Sequence, residues 1–377
     1  MKTVIAKINL DALEHNMQKI KSKVADAQVI AVLKANAYGH GDIACSKIMD
    51  KYVSGYAVAR LEEAIHLREH GCKKRILMLG GYFKAEDLKV IEELDIDFTV
   101  HNFNEIAEIK NYKATKKLNA WFQVNIGMQR LGFNENDYEE AFSQLNALDN
   151  IHKPLGMISH LSCADSETTA LYNEKQIAMF QKMKQINPNG FFSLANSASI
   201  LYFPLNNYDF VRSGIIQYGI SPSNENTGED LGFEPVMTLS TSIIEIRELA
   251  KGDVVGYGAS WVCEKPTKIA ILAIGYADGY PRAMPNGSPV LINGRIVHTV
   301  GHVCMDMMFV DIGLDAVDKI GDEAILWGKG NPVEKIASAV NTIAYELVTR
   351  PTSRVRYHTY IIIKNSKFNS IKQFDFV

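Results

Sequence analysis

Through its first half the chain alternates between short apolar runs and longer segments whose apolar residues recur at helical spacing. Residues 3 to 10 alternate as a strand does, and Asp11 to Val24 read as a helix. Strand-like runs come next at Val29–Leu33, Tyr56–Ala59, Arg75–Leu79, Ile96–Val100, Ala120–Ile126, Pro154–Leu161, Phe191–Ala195 and Tyr208–Val211. Helical patterns separate most of them, at Leu61–Glu69, Ala85–Glu93, Asn104–Lys110, Glu139–Ala147 and Ala170–Gln185. About eight β/α units in some 230 residues predict an α/β fold of the (β/α)8 TIM-barrel type, with a doubly wound sheet as the alternative.

Near residue 221 the pattern changes. Ser221-Pro222-Ser223-Asn224-Glu225-Asn226-Thr227-Gly228-Glu229-Asp230 is a polar loop that marks a boundary, so a barrel over 1–230 and a mainly-β domain over 231–377 are expected. Beyond it Thr238–Ile246 alternates and Lys268–Ile274 is apolar. Pro289–Val300 carries Asn293-Gly294, a type I′ hairpin signal. Val303–Ile312 and Glu323–Trp327 read as strands, Val333–Thr342 as one helix, and Tyr357–Ile363 as a last strand.

Composition adds exclusions. The 377 residues are 47% hydrophobic and 22% charged with net charge −3, which suits a soluble globular protein and gives no basic surface for nucleic acid. No apolar run approaches the ~20 residues of a membrane span, and the amino terminus lacks the apolar core of a signal peptide. A cytoplasmic protein is expected. Cys45, Cys72, Cys163, Cys263 and Cys304 are odd in number and scattered, which argues against a disulfide framework or a zinc site.

Candidate chemistry gathers where strands end. Lys34 comes directly after the buried run Val29–Leu33 and precedes Asn36, Gly39 and Gly41, which break the strand before Asp42 caps a helix. In α/β folds ligands bind at this end of the strands, and a desolvated amine there is a nucleophile or a base. By position alone the ordinary reading of Lys34 is a strand-end lysine reaching water. Asn125 with Arg130 beyond it, His160, Asn196-Ser197, and Arg212 with Gly214 fall at other strand ends. Taken singly, Asn196-Ser197 could be a helix cap and Arg212 a salt-bridging arginine.

The eleven residues Ala31-Val32-Leu33-Lys34-Ala35-Asn36-Ala37-Tyr38-Gly39-His40-Gly41 closely resemble the cofactor-lysine motif of the alanine racemases. Val255-Gly256-Tyr257-Gly258-Ala259, Ile274-Gly275-Tyr276-Ala277-Asp278-Gly279-Tyr280-Pro281-Arg282 and Gly301-His302-Val303-Cys304-Met305-Asp306 resemble that family's motifs in the second domain. The resemblance extends from the amino terminus to about Arg356. It implies that Lys34 carries pyridoxal 5′-phosphate and serves one face of the substrate α-carbon, while Tyr257 serves the other. In this family that tyrosine comes from the partner subunit, so a homodimer is implied. It places Tyr38, Ser197, Gly214, Ile215 and Tyr345 around the phosphate, His160 against the ring, and Arg212 on the ring nitrogen. Arg130 and Met305 face the substrate, with Asp306 supporting the loop, Tyr276 near the active-site entrance and Arg282 in the network around Tyr257. An arginine can only donate, so it would hold the ring nitrogen unprotonated and leave a weaker electron sink, which favours reprotonation over transamination.

The implied activity is interconversion of L- and D-alanine, supplying D-alanine for peptidoglycan. Racemisation of serine or another small amino acid, a fold-related decarboxylase and a non-catalytic carrier of the cofactor are the alternatives. Three departures from the family pattern bear on the site. Gln123 replaces a lysine that many members carbamylate, Ser193 replaces a frequent histidine, and Ser213 replaces the usual proline. Gln123 cannot supply an anion, so chloride or a nearby carboxylate is expected beside a partly buried Arg130.

Overall fold

The computed structural model describes residues 4–223, 225–364 and 369–374, so residue 3 of the first run and Asn224 of the boundary loop lie outside the described residues. The chain forms two compact units. One comprises Met17–Ala37 and Gly41–Gln217; the other comprises Met1–Asn16, Tyr38–His40 and Tyr218–Val377.

The strand β1 (Ile5–Asn9) precedes the eight strands of the barrel. These are β2 (Gln28–Val32), β3 (Gly55–Val58), β4 (Arg75–Met78), β5 (Asp97–Val100), β6 (Asn119–Gln123), β7 (Gly156–Ile158), β8 (Phe191–Ser193) and β9 (Phe210–Ser213). Each pairs in parallel with the next, and β9 pairs back to β2, closing the barrel. Every run expected from the apolar pattern becomes one of these strands. Five are shorter than expected, β6 and β7 for visible reasons. After Gln123, Asn125 and Gly127 turn the chain, and before Gly156 the ring of Pro154 has no N–H to give a ladder. The short strands are buried almost throughout, as parallel strands covered on both faces must be.

The second unit is built on a nine-stranded sheet. Its strands are β10 (Met237–Leu249), β13 (Thr267–Leu272), β14 (Pro289–Ile292), β15 (Arg295–Thr299), β16 (Met308–Asp311), β17 (Glu323–Trp327), β18 (Arg356–Lys364) and β19 (Asn369–Phe374), together with β1. A separate small ribbon pairs β11 (Val254–Val255) with β12 (Trp261–Val262). β1 lies between β10, which it meets antiparallel, and β18, which it meets in parallel. Asn293 and Gly294 take φ of 47° and 79° in the β14–β15 turn, as a type I′ hairpin requires. The stretch expected as one strand over Val303–Ile312 is a strand only at Met308–Asp311. Before it the chain folds back, Cys304 N–H donating to Met307 O at 2.9 Å. Two helices stand where one was expected, Val333–Ala339 and Ala344–Thr349. The second begins at Ile343, which offers no capping side chain and so no start signal. No helix among the described residues is long and apolar enough to cross a membrane.

The amino-terminal end of the barrel is filled by a polar and aromatic plug. The Trp121 ring meets Phe191 at 4.7 Å and Phe210 at 5.5 Å edge-on, and its Nε1–H donates to Asp97 Oδ2 at 2.7 Å. Arg75 lies over all three rings at 5.6–5.8 Å, and its Nε forms an ion pair with the same Asp97 oxygen at 3.1 Å. The buried carboxylate is thus hydrogen-bonded and paired, the condition under which such a charge is tolerated. Gly156 makes room for this packing, because a Cβ there would sit 2.3 Å from Phe191 Cε2 and 2.7 Å from the indole. Gly156→Ala is therefore expected to overpack the barrel and cost about 1–3 kcal/mol of stability, read as a lowered urea midpoint with an unchanged slope. An unshifted midpoint would show that the plug yields freely.

Candidate active site

Lys34 sits one residue beyond Leu33, at the carboxyl end of β2, and is half-buried. The chain after it does not make the simple turn that the glycines suggest. Ala35, Asn36, Ala37 and Tyr38 take φ of 53°, 54°, 54° and 51°, and Gly39 takes 77°, so the backbone winds through a left-handed helical turn. Four successive non-glycine residues in this region cost about 1–2 kcal/mol each. Several bonds hold it: Ala37 N–H to Leu33 O at 2.7 Å, Gly41 N–H to Asn36 O at 3.1 Å, and Asp42 N–H to Asn36 Oδ1 at 2.9 Å. Ala35 N–H donates to Glu63 Oε1 at 2.6 Å. Asp42, expected as a helix cap, is instead the first residue of helix Asp42–Met49; the cap is Gly41, at φ 90°. Burial, and next the charge of Arg130, lower the Lys34 amine from the ordinary lysine range, while Glu63 opposes them.

β9 is the neighbour of β2, which brings Arg212 onto the strand beside the one that ends at Lys34. The guanidinium is buried and no carboxylate pairs with it among the described residues. Nη1 donates to Ser193 Oγ at 2.6 Å; Nη2 donates to Ser159 O at 2.5 Å, His160 Nδ1 at 3.2 Å and Leu194 O at 3.3 Å. Ser193 Oγ donates its own hydrogen to Phe210 O at 2.9 Å. Burial and Arg130 pull Arg212 down to about 9, still cationic at neutral pH. Burial, then Arg212, Arg130 and Lys34, hold His160 well below its usual value, so the ring is neutral. Nε–H of Arg212 and the second N–H of Nη1 have no acceptor among the described residues, which leaves donors for one.

Ser197 opens the short helix Ser197–Tyr202, capped by Asn196, whose Oδ1 accepts from Ser199 N–H at 3.0 Å. The cap reading and the ligand reading of Asn196-Ser197 are therefore both available, carried by different side chains. Ser197 Oγ accepts Gly214 N–H at 2.9 Å, joining the ends of β8 and β9. Beside it Ile215 begins a short 3-10 turn with a fully buried N–H for which the described residues give no acceptor. An adjacent hydroxyl and a buried amide donor suit an anion. Ser213, in place of proline, donates to Gln217 Oε1 at 2.7 Å, and Gln217 Nε2 donates to Val32 O at 2.8 Å, tying β9 to β2.

The loop carrying Arg130 is organised by Asn125. Its Oδ1 accepts from Gly127 N–H at 3.0 Å and Gln129 N–H at 3.1 Å, and its Nδ2 donates to Gln129 Oε1 and Asn134 Oδ1. Arg130 itself is exposed, not partly buried as expected, and makes no ion pair among the described residues. Its charge nevertheless reaches Lys34, His160 and Arg212. Gln123 Oε1 is buried and has no hydrogen-bond partner among the described residues.

Within the other unit Tyr38 and Tyr345 come together, their rings 5.7 Å apart, and Tyr38 is buried. Gly39 lies so close to Val348 O that a Cβ would stand 2.1 Å from it. Tyr257 is 70% exposed, between Gly256 and Gly258, both with positive φ. Met305 is half-exposed on a loop held by Tyr276 N–H to Cys304 O and Ala277 N–H to Met305 O, each 3.0 Å. Arg354 braces that loop by pairing with Asp306 at 2.8 Å and Asp278 at 3.2 Å.

Comparison with known proteins decides the family. Residues 8–222 match the model of the alanine racemase N-terminal domain and residues 236–359 that of the alanine racemase C-terminal domain. The chain belongs to the alanine racemase family. It is 45% identical over 356 residues to an alanine racemase of Aliivibrio salmonicida, covering 94% of this chain and 99% of that one. Its fold is similar to the crystal structure of the biosynthetic alanine racemase of Pseudomonas aeruginosa, with TM-score 0.92 and 36% identity over 95% of this chain and 99% of that one. It is also similar to an alanine racemase from Bartonella henselae solved with covalently bound pyridoxal phosphate, with TM-score 0.87 and 29% identity over 95% of this chain and all of that one.

The groups that support the alanine racemase motif residues were not among those expected from the sequence. Glu63, Ser159 and Gln217 each bond to an expected site residue or its neighbour. Only Glu63 carried a signal, as an acid in the first turn of a helix. Ser193→Ala would leave the buried Nη1 of Arg212 without its acceptor. A loss of about 1–3 kcal/mol is expected, measured by urea unfolding of the cofactor-free protein, and Ser193→Thr should recover most of it. Equal stability of all three would mean that water replaces the hydroxyl.

Proposed function

We propose that this chain is a pyridoxal-phosphate-dependent alanine racemase acting through Lys34 and Tyr257. The observation that supports it most is the pairing, on adjacent barrel strands, of a half-buried lysine of lowered basicity with a buried arginine that has no carboxylate partner and unused N–H donors among the described residues. Pyridoxal phosphate, when bound, supplies an electron-withdrawing ring that acidifies the hydrogen on an amino acid's α-carbon. The residues fit that group. Ser197 offers a hydroxyl and Ile215 an amide donor for its phosphate, Gly214 N–H holding that hydroxyl in place, with Tyr38 and Tyr345 as further phosphate residues, and the free donors of Arg212 suit its ring nitrogen while His160 packs on the ring.

Lys34 carries the cofactor and holds a proton at its Nζ on one face of the α-carbon, where burial favours the neutral amine. Tyr257 holds the opposite proton at its phenol. Its exposure in the single chain supports its reaching the Lys34 site of a second copy, hence a homodimer with shared sites. Arg130 binds the substrate carboxylate and Met305 lines the substrate side. Arg212 would donate to the ring nitrogen when the cofactor is bound, an arrangement that favours the unprotonated ring and restrains side reactions. The decarboxylase alternative would need a carboxylate at that place. We assign the activity to the cytoplasm, as the supply of D-alanine for peptidoglycan.

The decisive experiment incubates each L-amino acid with the cofactor-loaded protein and resolves the products by chiral chromatography. D-alanine should form fastest, and its absence would end the proposal. Tyr257→Phe should retain the cofactor and lose about 10²–10⁴-fold in racemisation. Exchange of the α-hydrogen with deuterated solvent should then survive better for one enantiomer than for the other; equal residual exchange would refute the division of faces. Arg212→Glu, checked first for an intact unfolding transition, should raise transamination relative to racemisation, because a carboxylate favours the protonated ring nitrogen. An unchanged product ratio would place Arg212 away from that nitrogen.

A further inference from the structure

The amide that leaves Lys34 is captured by a side chain from another barrel segment. Glu63 stands in the first turn of helix Leu61–Glu69, where an acidic residue ordinarily caps its own helix. Here its two oxygens are divided. Oε2 accepts Ala59 N–H at 2.8 Å and Arg60 N–H at 3.1 Å, at the end of β3, while Oε1 accepts Ala35 N–H at 2.6 Å. One half-buried carboxylate thus gathers three backbone donors and ties the end of β3 to the first residue of the left-handed turn. Neither a serine nor an asparagine could span both, since each offers one short acceptor. Ala35 takes φ of 53° under this restraint, and the bond anchors the peptide that follows Lys34, so the lysine backbone is held from β2 on one side and from the turn on the other.

We propose that Glu63 is a positioning residue for Lys34: its carboxylate locks the left-handed turn and so aims the amine. This rests on the reading that Lys34 carries the cofactor. Arg130 and Glu63 are the charged groups that act on the amine, with His160 in turn feeling Lys34. Burial is the largest influence on the amine and Glu63's charge the smallest of the three. Releasing the lock therefore frees the amine from the larger effect, and its basicity rises toward that of a surface lysine.

The test uses the full chain and Glu63→Asp, which keeps the charge and the helix cap but withdraws the carboxylate by one methylene, out of reach of Ala35. Cofactor-free protein is acylated with a dilute amine reagent over a pH series, and the Lys34 peptide is quantified by mass spectrometry. A second series adds pyridoxal 5′-phosphate, quenches with borohydride at intervals, and tracks the same peptide. The lock predicts an acylation midpoint moved to higher pH and cofactor attachment slowed by about tenfold to a hundredfold, with thermal unfolding close to that of the parent. Parental behaviour in both series overturns the proposal. So does slowed attachment with an unmoved midpoint, and so does a variant that fails to fold, which would assign the carboxylate to stability alone. Cofactor found on a different lysine of the parent protein refutes the reading of Lys34 itself, whatever the variant does.

Discussion

The left-handed turn after Lys34 is the constraint on which the candidate site depends. Its strain over four residues is of the order of several kcal/mol, and the hydrogen bonds that hold it are of the same order, so neither dominates. Such a conformation persists only where its surroundings over-determine it. Small side chains help: Ala35 and Ala37 alternate with Asn36 and Tyr38, and Asn36 uses both its backbone and side-chain oxygens within the loop. A right-handed helix starting at Lys34 would have continued the pattern of the other β/α connections. The left-handed turn instead separates the lysine from the helix Asp42–Met49, which starts only after Gly41.

Around that turn the electrostatics are those of a cationic site with few anions. The charge of Arg130 acts on both Lys34 and Arg212, and His160 is kept neutral by burial and then by all three cations. Neutral groups meet the buried guanidinium: two carbonyls, a hydroxyl and an imidazole nitrogen. Hydroxyls at Ser193 and Ser213 fill the places where the family often has histidine and proline, and each completes a hydrogen bond that its replacement could not have made in the same way. A cluster so disposed attracts the phosphate of a cofactor and the carboxylate of a substrate before either makes a specific contact.

Much of this was legible in the sequence, for identifiable reasons. All eight barrel strands were, because parallel strands buried on both faces are apolar runs bounded by turn residues. Asn293-Gly294 announced its hairpin because only residues tolerant of positive φ satisfy that turn. Long-range pairing left no local trace: nothing in Ile5–Asn9 shows that it joins β10 and β18. The helix Ala344–Thr349 starts without a capping side chain, and the fold-back at Cys304–Met307 sits inside an apolar stretch that reads as strand. The left-handed turn was hidden for another reason. Alanine has no preference that would flag it, and one of the bonds that hold it comes from Glu63, distant in the chain.

The plug of Trp121, Phe191, Phe210, Arg75 and Asp97 has a consequence for proton traffic. It fills the amino-terminal end of the barrel with rings and an ion pair, so that end is packed core and not a channel. Water and hydronium cannot approach the lysine through the barrel axis. Proton exchange of the amine is therefore confined to the carboxyl mouth of the barrel, and water on that side alone sets how fast the amine forgets a hydrogen it has received.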